Sequence, residues 1–268
     1  MENVLLALLI YLALGVCAGL LSGLLGAGGG LITVPGLLLA FQWEPIRAAI
    51  AMHIAVGTSL AVMIPVAIRS LKSHIKNHGY SFLPIYKQMA PTIIVGVIGG
   101  GILAHFIHSR ALQIIFGLFV LVMAIGLLIG RKKQNNRKLP GSAGMLAAGG
   151  FVGLQSGMLG LGGSSFSVPF LTHRGVDIHI AVVVSVAIAM TVSVLGTATF
   201  MFTGLHTTGL PRWSVGYIYL PAFIGLAIGG VLMAPLGAQL SHRISSEKLK
   251  ICFALFLFAV SVHMLWSV

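Results

Sequence analysis

The sequence predicts an all-helical integral membrane protein made of two inverted repeats, each a glycine-broken helical hairpin followed by three membrane-spanning helices. Three observations lead there. The chain of 268 residues is 57% hydrophobic and only 7% charged, whereas a soluble domain carries about 25% charged residues. Long uncharged stretches recur, each near the ~20 residues that cross a bilayer as helix. Finally, an unusual segment occurs twice: Gly15, Gly19, Leu20, Ser22, Gly23, Leu25, Gly26, Gly28, Gly29, Val34 and Pro35 return 134 positions later as Gly149, Gly153, Leu154, Ser156, Gly157, Leu159, Gly160, Gly162, Gly163, Val168 and Pro169. That is 11 identities in 21 aligned positions.

The elements follow in order. The first apolar stretch lacks a basic leader and belongs to the repeat, so it reads as mature structure and not a removed signal. It forms a hairpin over residues 4–41, broken at its glycines, and the second copy does the same over 143–172. Full spans are expected at 46–68, 89–109, 111–130, 178–203, 215–241 and 251–268. Pro91, Gly99 and Gly100 correspond to Pro221, Gly229 and Gly230, which carries the duplication past the hairpins. The domain reading is therefore a first repeat at 1–130, a basic cytoplasmic linker at 131–141 and a second repeat at 142–268.

Charge sets the orientation. The formal net charge is +12, but the basic residues fill short gaps between spans, where they act as positive-inside signals and contacts for anionic lipid, not as a nucleic-acid surface. A hairpin returns to its starting side, so each half makes an odd number of net crossings. With the linker inside, the cytoplasmic segments hold Arg69, Lys72, Lys76, Lys87, Arg131, Lys132, Lys133, Arg137, Lys138, Arg174, Arg243, Lys248 and Lys250, and the outer ones hold Arg47, Arg110 and Arg212. This predicts a multi-pass plasma membrane protein of the bacterial inner-membrane type, with both termini outside and halves related by an axis in the membrane plane. Four crossings per half, giving parallel repeats, would put Arg243, Lys248 and Lys250 outside.

Paired broken segments in the two halves of a membrane protein point to a transport site. Consecutive glycines at Gly28, Gly29 and Gly30 let backbone amides face a concavity beside a new helix start, which suits an anion. Gly162, Gly163, Ser164 and Ser165 stand at the same place in the second copy, the serines adding hydroxyl donors. The spacing Gly15, Gly19, Gly23 and its copy Gly149, Gly153, Gly157 instead reads as the small-residue stripe of tight helix contacts. Thr33 and Ser167, matched across the repeat, either line the site or bond a carbonyl one turn back. Gln155 is an amide in an apolar helix, a candidate for substrate or for helix pairing. His53, Thr58 and Ser59 lie within the first full span; the histidine is a structural imidazole or a ligand or proton carrier.

Four carboxylates exist, Glu2, Glu44, Asp177 and Glu247, all at or beyond the predicted span edges, so no buried acidic relay is expected. Glu44 and Asp177 precede long spans and read as helix caps. Cys17 and Cys252 form no redox or metal motif and read as packing residues. No catalytic triad, zinc motif or phosphate-binding lysine motif is present, and a dinucleotide reading of the glycines fails for want of a preceding strand. The expectation is no enzyme, no cofactor and no metal.

The motifs SGLLGAGGGLITVP from Ser22 and SGMLGLGGSSFSVP from Ser156, with AVGTS at Ala55 to Ser59, resemble those of the TauE/SafE sulfite exporter family. The counterpart of AVGTS in the second half reads AIAMT, from Ala187 to Thr191. The resemblance implies a carrier of sulfite, a sulfonate or another small sulfur-containing anion. It would work by alternating access around the two breaks, with the lipid bilayer, a proton or other coupling ion and a second copy of the chain as partners. An anion channel and a non-transporting membrane assembly protein are the competing classes.

Overall fold

The computed structural model describes residues 2–25, 29–44, 46–78, 82–129, 139–241 and 246–267. Gly28 and the basic residues at 131–138 lie outside them. The first half runs α1 (Glu2–Leu25), α2 (Gly30–Phe41), α3 (Ala48–His78), α4 (Leu83–Phe106) and α5 (Ser109–Ile129). The second repeats that order as α6 (Ser142–Leu159), α7 (Ser164–His173), α8 (Ile178–Gly204), α9 (Leu220–Ser241) and α10 (Ser246–Trp266). Among the described residues the regular structure is thus all helical but for one short hairpin, β1 (Ser214–Val215) and β2 (Ile218–Tyr219). Four helices, at 48–72, 83–106, 109–129 and 178–204, are long and apolar enough to cross a membrane. At 12 and 10 residues, α2 and α7 rise only about 18 and 15 Å, roughly half of a hydrocarbon core of about 30 Å.

Four span boundaries differ from expectation by five residues or more; of these, α4 begins six residues early, at Leu83, and α10 five early, at Ser246. The helix predicted from residue 215 starts only at Leu220, because Gly216 takes φ +57° and turns the chain into the hairpin. There Ser214 pairs with Tyr219 and Val215 with Ile218. At the other end of the first half, α3 continues past residue 68 to His78, since a helix satisfies its own backbone bonds whether its side chains are apolar or basic.

The packing repeats with the sequence. α1 runs parallel to α9, with Gly15 on the backbone of Leu226 and Gly19 on that of Gly230. In the same way α6 runs parallel to α4, with Gly149, Gly153 and Gly157 on Met89, Ile93 and Val97. A methyl group at Gly19 would stand 2.8 Å from the Gly230 carbonyl oxygen, and one at Gly153 would stand 2.5 Å from that of Ile93. These glycines are where helix backbones touch, which bears out the small-residue stripe.

Between these pairs, α3 and α8 cross antiparallel, since Gly57 meets Phe200 while Leu60, further along, meets Gly196, earlier in α8. α5 and α10 also run antiparallel, with the Gln113 amide near the start of α5 donating to the Met264 carbonyl near the end of α10 at 2.9 Å. The core between the helices is closed by Tyr11, Met52, Met89, Phe116 and Phe200, all fully buried. Val122, Leu118, Leu255 and Leu232 point outward, as a lipid-facing surface requires. Cys17 and Cys252 are exposed too, so they belong to that outer face and do not pack the core as expected.

The two caps resolve differently. Asp177 is the N-cap of α8 and accepts from the His179 backbone N–H at 2.8 Å. Glu44, expected to cap α3 or to stabilise its first turn, has its carboxylate bonded by the hydroxyl of Tyr11 at 2.7 Å and by that of Tyr219. It lies in the turn after α2, and α1 brings a buried phenol within reach.

Candidate functional site at the helix breaks

The two breaks meet. A Cβ at Gly30, the first residue of α2, would run into the carbonyl of Gly160 and lie 3.0 Å from the Leu161 Cα. Both helices begin at repeat-equivalent positions, Gly30 and Ser164, after the equivalent N-caps Gly29 and Gly163. The N–H groups that open a helix have no acceptor a full turn back within it; in α2 the Ile32 N–H already donates to the Gly29 carbonyl at 3.1 Å.

Local chemistry explains the second break in detail. Gly160, Gly162 and Gly163 hold φ +71°, +69° and +78°, a left-handed region that costs an ordinary residue about 1–2 kcal/mol. Gly160 ends α6 with its N–H on the Ser156 carbonyl at 2.9 Å, and Ser59 of α3 donates to the Gly160 carbonyl at 3.3 Å. α3 and α8 clasp the turn from two sides: Val56 lies against Gly160 and Met63 against Gly162, while Ile188 lies against Gly163.

Four polar side chains on the residues flanking this turn lack a partner among the described residues. Gln155 and Ser156 come from the last turn of α6, Ser164 and Ser165 from the first turn of α7. They are 5%, 0%, 4% and 5% exposed, and both amide atoms of Gln155 and all three hydroxyls lack a hydrogen-bond partner among the described residues. A Cβ at Gly163 would stand 3.5 Å from the Ser156 hydroxyl, which places that oxygen at the cap of α7. An unpaired buried polar group costs roughly 1–3 kcal/mol, so five such atoms in one place are a standing demand for a polar guest.

The remaining predicted residues divide. Thr33 and Ser167 donate to the carbonyls of Gly29 and Gly163, each at 2.8 Å, so their hydroxyl protons serve their own helices. Thr58 accepts the Tyr219 backbone N–H at 3.0 Å and anchors the β-hairpin. His53 lies elsewhere: its Nε2–H donates to the carbonyls of Ala104 at 2.9 Å and Ile107 at 3.1 Å. Its ring stacks on Tyr217 at 5.1 Å, about 9 Å along α3 from Ser59. The structural imidazole is therefore what the geometry supplies there. Gly29, Gly30, Ser59, Gln155, Gly162, Gly163, Ser164 and Ser165 are gathered at or beside the two breaks.

Ser156 was not among the residues singled out by sequence, though its identity with Ser22 in the duplication was a signal that could have found it. Cavities of about 190 and 410 Å³ open where the starts of α3 and α5 meet the end of α10, the smaller reaching the end of α2, and none of the four orphaned side chains lines them.

Residues 11–264 match the family described as Sulfite exporter TauE/SafE. A probable membrane transporter protein of Haemophilus influenzae is 32% identical over 258 residues, covering 96% of this chain and 97% of its own. One of Methanocaldococcus jannaschii is 26% identical, covering 97% and 96%, and one of Bacillus subtilis is 22% identical, covering 98% of each. No solved structure matches the chain.

Proposed function

The chain belongs to the TauE/SafE sulfite exporter family and is by that membership a membrane transporter; we propose that it is a secondary carrier of a small sulfur oxyanion, held where its two helix breaks meet. The observation that supports this is the set of orphaned neutral donors, Gln155, Ser156, Ser164 and Ser165, at the start of α7. Neutral N–H and O–H donors beside a helix N-terminus suit oxygen atoms that carry negative charge. Such a site asks for no metal and no enzyme chemistry. Burial of the donors inside the bundle favours a carrier over a channel, because a conducting pore keeps its lining wet.

Alternating access would follow from the duplication. Equivalent helices run antiparallel, α3 against α8 and α5 against α10, which supports inverted repeats at 1–130 and 142–268 joined by a cytoplasmic linker at 131–141. Each face of the α3 and α8 crossing carries its own closure. On one, the Tyr86 hydroxyl meets Thr191 at 2.6 Å; on the other, the β-hairpin sits on Thr58. Rocking of the halves would break one closure at a time and expose the site to each side in turn.

Two measurements test this. Sulfite or methanesulfonate should raise the melting temperature of the purified protein, and flux into proteoliposomes should saturate with concentration; a linear, unsaturable flux would favour a channel. In a background lacking Cys17 and Cys252, cysteine at Arg212 should react with an impermeant thiol reagent in intact cells while cysteines at Lys133 and Lys248 stay protected. Labelling at Lys248 with protection at Arg212 would sink the inverted arrangement.

A further inference from the structure

We infer that the site selects its cargo by charge state, taking a singly charged SO3 head group, as in hydrogensulfite or an alkanesulfonate, and rejecting the doubly charged sulfite and sulfate. This rests on the reading of the second break as the substrate site.

The donors are all neutral. Among the residues whose burial is described, no lysine, arginine, aspartate or glutamate is buried, and His53 is the only buried side chain that can ionise in the neutral range. What positive potential the site has comes from two helix starts, Gly30 of α2 and Ser164 of α7, each equivalent to about half an elementary charge. Their sum is at most about one unit, enough for a monoanion and short of a dianion. The ends of α1 and α6, of opposite sign, only lower that total, and at α6 the Gly160 carbonyl is taken by Ser59. Desolvation sharpens the difference: in the Born picture the cost of leaving water grows with the square of the charge, about fourfold for a dianion.

Among the residues whose side chains are described, no titratable group on the surrounding elements offers a second charge. On α3, His53 is held by Ala104 and Ile107, Lys72 is exposed, and Arg69, also exposed, donates to the Val231 carbonyl at 3.3 Å. On α4, Tyr86 bonds Thr191, Lys87 is exposed and His105 meets Tyr217 of the β-hairpin at 3.1 Å. His173 and Arg174 lie at the far end of α7, the latter over the ring of Phe170. Asp177 and His179 are exposed at the start of α8, and Glu44, after α2, is engaged by Tyr11.

The consequence is that sulfite would enter the site with its proton, so the cargo itself would carry any proton moved. The test is calorimetric titration of the purified wild-type protein with sulfite, methanesulfonate and sulfate across the neutral pH range. Apparent sulfite affinity should fall about tenfold per pH unit above the second pKa of sulfurous acid, methanesulfonate affinity should stay flat, and sulfate should bind more than tenfold more weakly than methanesulfonate. Sulfite affinity that is flat or rises with pH, or sulfate binding as tight as methanesulfonate, overturns the charge-state inference while leaving the substrate site in place. Methanesulfonate affinity that falls with pH overturns it too, because a protein group would then hold the proton. If none of the three anions binds at any pH, the substrate-site reading fails and this inference with it.

Discussion

The two glycine breaks descend from one segment and do different work. In the first, Gly29 caps α2 at φ −55° and ψ −12°, a conformation open to any residue, and the chain enters α2 through Gly30 and the fully buried Leu31. In the second, the equivalent Gly163 sits at φ +78°, and Ser164 and Ser165 replace Gly30 and Leu31. The first copy offers a bare backbone that can press on Gly160; the second offers hydroxyls, an amide and three left-handed glycines. What the two share is the pair of bonds, from hydroxyl and backbone N–H alike, that Thr33 makes to the Gly29 carbonyl and Ser167 to that of Gly163. Duplication thus supplied two helix starts; one carries unpartnered hydroxyls and the other packs its bare backbone against the neighbouring turn.

The comparison breaks first at the caps. Gly163→Ala should lower stability by about 2–4 kcal/mol, from left-handed strain together with overpacking, since its methyl group would stand 2.8 Å from the Ile188 side chain. Gly29→Ala should cost under about 1 kcal/mol. Melting temperatures of the two variants check this, and equal losses would mean that the breaks are equivalent after all.

Next comes the donor surface. Ser164→Ala combined with Ser165→Ala removes two orphaned hydroxyls, so the unliganded protein should melt at or above the wild-type temperature. Each bond to a charged ligand is worth roughly 1.5–3 kcal/mol, so sulfur-anion affinity should drop at least about tenfold. Unchanged affinity in a titration would remove the second break from the site.

The smallest effects belong to the shared bond. Thr33→Val and Ser167→Ala should each change stability by about 0.5–1.5 kcal/mol and leave ligand affinity as it was, because each hydroxyl donates within its own helix. A large affinity loss in either variant would show that these oxygens reach the guest.

By itself, the sequence determined the all-helical membrane architecture and pointed to the breaks as the place of the proposed site. Composition demands a bilayer, and within a bilayer only a closed set of backbone bonds survives, so long apolar runs can only be helices. The duplication marked both breaks, both helix starts and the glycine stripes, because these depend on local backbone chemistry that each copy repeats in its own residues. Tertiary structure decided what the side chains at those places do. Whether Thr33 faces the guest or its own helix, whether Glu44 caps α3 or binds Tyr11, and whether His53 is near the break depend on which helix lies alongside. That is set by contacts between residues as far apart as Gly30 and Gly160, which no pattern along either segment encodes. The β-hairpin at Gly216 escaped notice for a related reason: an apolar run beginning at Val215 looks like helix until a glycine turned left-handed lets the Met201 carbonyl come close.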